Sequence, residues 1–161
     1  MNSNGTERKI VESDAEAVAE RLDRLESREA IADVIHVYAR LMRENNAAEI
    51  ESLFAEESFF ELREGHPDKP EFTLRERLKG RENIVGYLSQ VKGGPYPIPL
   101  IHNLTIEISG DIAKSNCVME ARFYGADFQV FGEYRDTFQR IDGRWFFTSR
   151  TYTVFRNASS V

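Results

Sequence analysis

Apolar residues in the first third of the chain recur at helical spacing. Ala15, Val18, Ala19, Leu22 and Leu25 form one stripe, and Asp14 is suited to cap its start. A second stripe of Ile31, Val34, Ile35, Tyr38, Ala39 and Met42 follows Ser27-Arg28-Glu29-Ala30. Ser27 is therefore expected to cap a separate helix over 27–45, ended by Asn45-Asn46. The spacing then predicts a short helix over 47–54, a strand over 58–62, a proline-containing loop over 65–70 and a helix over 80–91. After a stiff connector over 93–99 the period changes to two, and strands are expected over 100–109, 113–124, 128–141 and 144–155.

The last two strands meet at Asp142-Gly143, a dipeptide that favours a type I′ hairpin because both central residues need φ > 0. With a two-residue loop, Phe138 faces Phe147, Asp136 faces Ser149 and Tyr134 faces Thr151. One face then carries Tyr134, Asp136, Phe138, Trp145 and Phe147; the other carries Glu133, Arg135, Thr148, Arg150 and Tyr152. A carboxylate among rings costs free energy unless it is paired or neutral, so Asp136 marks a candidate site. The plainer alternative is an ion pair with an interior arginine such as Arg140 or Arg122. Arg135 and Arg150 become cross-strand neighbours in this register, and Glu133 or Glu120 is expected between them.

Helices, a strand, a helix and then a long antiparallel meander make an α+β domain, expected over 14–156 with a flexible N-terminus (1–13) and a short tail (157–161). Long twisted strands curl, and the helix over 27–45 has the right apolar face to close the concave side. The result is a cone-shaped curved sheet capped by N-terminal helices, with an apolar pocket inside.

Composition narrows the function classes. The 161 residues carry a net charge of −6, which argues against a nucleic-acid groove. A single cysteine, Cys117, makes no internal disulfide and fits a reducing, cytoplasmic setting; an inert buried thiol is the expectation. No apolar run approaches the ~18 residues of a membrane span. The histidines His36, His66 and His102 lack metal-ligand spacing, so neither metal nor cofactor is expected.

Four segments in order, REAIADVIHVYARLMRENNAAEIESLFAEESFFE, GRENIVGYL, NLTIEISGDIAKSN and GEYRDTFQRIDGRW, resemble the SnoaL-like branch of the nuclear-transport-factor-two-like superfamily. The resemblance covers 25–152. It implies a cystatin-like α+β barrel around a hydrophobic pocket, usually a homodimer through the outer sheet face. It also implies a range of roles: polyketide cyclases, scytalone-type and bile-acid-type dehydratases, isomerases and dioxygenase β subunits. Catalytic members carry a tyrosine on the second helix, matched by Tyr38, and an aspartate five residues on, where this chain has Arg43. They also carry a histidine shortly before the strand-opening asparagine, where His102 stands directly beside Asn103. The resemblance thus implies Tyr38 and His102 as catalytic groups; Asp136 of the hairpin completes the candidate set, and Arg43, Phe60, Tyr134, Phe138, Phe147 and Tyr152 are the candidates to contact a small hydrophobic ligand. Two readings follow: a cofactor-free acid/base lyase or isomerase on a small cyclic substrate, or a non-catalytic ligand-binding or assembly module. A convergent pocket favours the first and an interior filled by rings favours the second.

Overall fold

The computed structural model describes residues 3–67, 69–90 and 95–156. Its elements are α1 (Ser3–Arg43), α2 (Ala47–Ile50), a 3₁₀ turn (Glu51–Leu53), β1 (Phe54–Gly65), β2 (Phe72–Lys79), α3 (Arg81–Leu88), β3 (Tyr96–Ser109), β4 (Ile112–Tyr124), β5 (Gln129–Ile141) and β6 (Arg144–Phe155). One curved, unclosed six-stranded sheet runs β2-β1-β6-β5-β4-β3. All neighbours are antiparallel except β1 and β6. The C-terminal half of α1 lies across the concave face, burying Ile31, Ile35, Tyr38 and Leu41 against rings from β1, β5 and β6.

The two expected N-terminal helices are one. Ser27 is a buried residue in the middle of α1, where its hydroxyl meets Arg140 Nη1 at 3.3 Å, so it caps nothing. The helix also takes in residues 3–13, which the sequence pattern leaves outside the domain. Its end is as expected. Asn45 takes φ 53°, its N–H donates to Met42 O and that of Asn46 to Leu41 O, which is a Schellman closure with asparagine in the left-handed position. The helix expected over 47–54 is shorter, because Phe54 already belongs to β1. The tail over 157–161 lies outside the described residues.

β2 is absent from the sequence reading: Phe72, Leu74 and Leu78 alternate with polar residues, but Glu76 interrupts the row and almost every side chain is exposed. Charge holds it instead: Arg77 Nε lies 2.8 Å from Glu61 Oε1 and Arg75 Nη2 2.6 Å from Glu64 Oε2. Charged side chains along an edge strand also oppose pairing with other sheets. The connector's Pro97 and Pro99 belong to β3, the opposite edge, where a missing N–H is tolerated.

The β5–β6 turn has Asp142 at φ 50° and Gly143 at φ 78°, as the dipeptide predicts. Phe138 pairs with Phe147, but Thr137 pairs with Ser149, so Thr148 is an extra residue and forms a bulge. The Thr137 hydroxyl clamps it, 2.8 Å from the Thr148 hydroxyl and 2.7 Å from that of Ser149. From there the expected register is wrong by one: Asp136 pairs with Arg150 and Tyr134 with Tyr152. Arg150 and Tyr152 therefore share the inner face with Asp136, and Arg135 lies outside with Glu133 at 2.8 Å.

Gly132 on β5 sits so close to the Thr153 carbonyl oxygen that an added Cβ would overlap backbone, with the Tyr152 ring 3.0 Å away. Gly132→Ala is expected to destabilise the fold by roughly 1–3 kcal/mol in urea denaturation, as overpacking does. An unchanged midpoint would mean that β6 yields freely here.

Candidate functional site

The interior of the cone is built around one charge. Arg150 of β6 and Asp136 of β5 have side chains with no exposed surface. Their contact is bidentate, Nε donating to Oδ1 at 2.8 Å and Nη2 to Oδ2 at 2.9 Å. Ser115 of β4 adds a donor to Oδ2 at 3.3 Å. The conflict at Asp136 is thus resolved by an arginine, though not by either expected one. Arg140 instead reaches Asp23 and Asp111 at the hairpin end, and Arg122 pairs with Glu120 outside.

Rings close around the guanidinium. Its central carbon is 4.1 Å from the Tyr38 ring centroid, 4.0 Å from that of Tyr134 and 4.3 Å from that of Phe147. Desolvated contacts of this kind are worth on the order of 1–2 kcal/mol each. Phe54 and Phe138 pack on Phe147 at 5.0 and 4.8 Å, and Tyr152 on Tyr134 at 5.2 Å. Phe60 is buried beside Arg150 in the β1–β6 register. Seven of the nine expected site residues therefore gather in one place: Tyr38, Phe60, Tyr134, Asp136, Phe138, Phe147 and Tyr152.

The other two do not join them. Arg43 is exposed at the end of α1, 3.4 Å from Glu44. His102 is on the outer face of the sheet, its side chain 49% exposed and its Nε2 3.9 Å from Glu120 Oε2. A second bulge is the reason. Between His102 and Thr105 the register shifts, with Asn103 at φ 52°, so Leu104, Ile106 and Ile108 turn inward while His102 turns out. Strict alternation would have put all four on one side.

The interior is dry and filled. Arg150, Phe147 and Phe54 have no accessible surface, and Tyr38, Tyr134 and Phe138 retain at most 4%. The crevice where α1, α3 and β3 meet, lined by Leu41, Met42, Leu88 and Tyr96, holds about 10 Å³, the room of about one water. A larger concavity of about 580 Å³ is an open groove near the hairpin end of the sheet, by Glu107, Lys114, Thr137 and Gln139. Two buried polar atoms have no partner among the described residues, Arg150 Nη1 and Ser58 Oγ.

Burial by itself would lower the Arg150 pKa, but the charge and paired hydrogen bonds of Asp136 outweigh it and hold the guanidinium above its ordinary value. Burial pushes the Tyr38 phenol up despite Arg150 beside it. Burial likewise raises Tyr134 far above the usual tyrosine range, and Tyr152 as well. These phenols stay protonated at neutral pH, so they can give hydrogen bonds but are poorly matched to proton transfer. Both Asp136 oxygens are already engaged by Arg150. Sequence reasoning missed Arg150 and Ser115, and the need of Asp136 for a cation was the one signal pointing to either.

A SnoaL-like domain model matches residues 23–151. The chain belongs to the SnoaL-like family. No curated protein matches it in sequence. Among solved structures, it is similar to an NTF2-like protein with a cystatin-like fold from Novosphingobium aromaticivorans, at 20% identity and TM-score 0.70 over 88% of this chain and 90% of that one. A protein of the same organism provisionally described as a scytalone dehydratase is 21% identical, with TM-score 0.68 over 86% and 91%. The β subunit of a provisionally assigned aromatic-ring-hydroxylating dioxygenase, again from that organism, is 16% identical, with TM-score 0.69 over 83% and 92%. At these identities the likeness to solved structures establishes the SnoaL-like fold and no shared chemistry.

Two tests follow from the geometry. Asp136→Ala strands a buried guanidinium and should cost about 3–5 kcal/mol in urea denaturation, whereas Asp136→Leu with Arg150→Met should recover most of the loss. If the double variant loses as much as Asp136→Leu and Arg150→Met lose separately, added together, the pair is not coupled. Cys117, buried on β4, has its thiol pushed up by burial from 9.0 to about 11. A folded pKa above the unfolded one gives stability that is whole below pH 9 and lost as pH rises toward 11. Wild type should therefore lose more stability than Cys117→Ala between about pH 8 and 11; equal slopes would show that the thiol is not protected.

Proposed function

We propose that this SnoaL-like chain acts as a non-catalytic assembly module whose working surface is the outer face of its sheet. The observation that carries the reading is the packing of Tyr38, Tyr134 and Phe147 on Arg150, which fills the space a substrate would need. The position of His102 supports it too, since a proton carrier on the far side of the sheet cannot serve an interior reaction.

The outer face offers the features of an interface. Leu100, Val118 and Phe131 are 37–46% exposed there on adjacent strands β3, β4 and β5. His102, Glu120, Glu133 and Arg135 surround them with polar groups, as the rim of a protein contact usually does. A second copy docked on this face makes a homodimer in the cytoplasm, and a larger subunit can use the same surface. The likeness to a dioxygenase β subunit is in keeping with that role.

One observation favours the other reading, a cofactor-free lyase or isomerase. The unpartnered Arg150 Nη1 and Ser58 Oγ would be satisfied by a ligand carrying an oxygen acceptor, if the interior opened.

A single set of measurements separates the two. In light scattering after gel filtration, Phe131→Asp should lower the mass of the assembly by one association step, with the fold intact by circular dichroism. Saturating small cyclic ketones and enones should leave the melting temperature unchanged. A ligand-dependent rise of several degrees that Tyr38→Phe abolishes, or turnover of such a compound, would overturn the assembly reading in favour of the enzyme.

A further inference from the structure

The N-terminal half of α1 carries an apolar stripe that its own domain does not use. Val18, Leu22 and Leu25 are 61%, 54% and 65% exposed. The core stripe of the same helix begins at Ser27 and Ile31, which are 4% and 0% exposed. Val18 and Ser27 are nine residues apart, as are Leu22 and Ile31, and nine residues are about two and a half turns. The two stripes therefore face opposite ways along one continuous helix. The sheet covers the core stripe; of the other, Leu25 lies across an open groove from Ile106 and Ile108 of β3 and stays largely exposed.

Spacing and charge identify an occupant. Ala15, Val18, Leu22 and Leu25 recur at intervals of three, four and three, the seam of a two-stranded coiled coil. Beside the seam, one flank carries Glu12, Glu16, Asp23 and Glu26, and the other carries Asp14, Arg21, Arg24 and Arg28; of these, Asp23 is held by Arg140 and Arg28 donates to Ile106 O within the chain. Antiparallel pairing of two such helices sets acid against acid and arginine against arginine. Parallel pairing sets the acidic flank of each against the basic flank of the other, and Arg21 then meets Glu26 of the second copy, the usual five-residue offset across such a seam. Among the described residues neither Arg21 nor Glu26 has an ion-pair partner within its own chain, so both are available for this. The segment is already helical because it continues a helix nucleated on the sheet, which spares the pair the cost of initiating one.

We propose that two copies of the chain associate through a parallel pairing of residues 12–28 of α1, a contact separate from the outer sheet face. It leaves the core intact, since Val18, Leu22 and Leu25 are exposed and are not part of it.

Sedimentation equilibrium of the full chain tests this. Leu22→Asp should weaken self-association by about tenfold or more, the effect of losing one buried leucine at the seam. Arg21→Glu and Glu26→Arg should each weaken it, and the two together should restore it. Val18→Cys should form an interchain disulfide under mild oxidation, because the same position meets itself only in a parallel pair. Circular dichroism and urea denaturation should find every variant as folded as wild type, the altered positions being exposed. If the sheet face also pairs, helix variants remove one association step and Phe131→Asp the other, so either contact can fail alone. Association unaffected by Leu22→Asp, no restoration in the double charge reversal, an uncross-linked Val18→Cys, or a wild-type monomer at all concentrations would each overturn the proposal.

Discussion

The arrangement of the whole interior depends on the ion pair between Asp136 and Arg150. A buried pair is not a strong source of net stability, because desolvating both charges costs about as much as their attraction returns, and apolar replacements often do as well. What the pair does supply is a penalty for error. If β6 slid one residue along β5, or the bulge at Thr148 closed, Arg150 would turn outward and Asp136 would face the rings of Tyr38, Tyr134 and Phe147 without a cation. The bulge, the threonine clamp at Thr137 and the pair therefore select one register between them. The aromatic box adds to this, since its three rings are spaced to hold a planar cation and would leave a void around a smaller side chain.

Much of this was legible in the chain. The hairpin at Asp142-Gly143, the inward set Tyr134, Asp136, Phe138, Trp145 and Phe147, the asparagine closure of α1 and the succession of helix and meander all follow from period and turn chemistry. What was not legible has one common cause. Period-two reasoning assumes that parity is kept along a strand, and a bulge breaks parity without a mark in the pattern. The bulge at Thr148 brought Arg150 and Tyr152 inside; the one at Asn103 sent His102 outside. Arg150 and His102, which bear most on whether the interior is reactive, are thus among the residues that strand periodicity places wrongly. β2 escaped notice for another reason, since its alternating Phe72, Leu74 and Leu78 are interrupted by Glu76.

The continuous α1 is a different kind of miss. The residues around Ser27 fit a helix start, and a half-turn change in the apolar stripe looks like a break. A buried serine within a helix, contacted by Arg140 from the far end of the sheet, does the same local work without interrupting the backbone. The phase change then reflects a change of neighbour, not of conformation. Sequence patterns report which side of an element is covered, and where two partners cover opposite sides they can imitate a boundary.

Within this fold, the side chains that point into the cone decide whether it can do chemistry. A reactive cone needs empty space, a group that exchanges protons near neutral pH and a route for a substrate. Here the space is taken by aromatic rings and a guanidinium, and the buried phenols are held in their protonated form. The carboxylate that could have served as a base is bound on both oxygens by Arg150. Opening such an interior would require separating a desolvated ion pair from its rings, at a cost comparable to the stability of many small domains. A ligand able to repay that would itself have to resemble what it displaces, presenting a planar anion to Arg150 and apolar surface to the rings. The folded chain already meets both demands with its own residues, so the free energy of this interior is committed to the shape of the sheet.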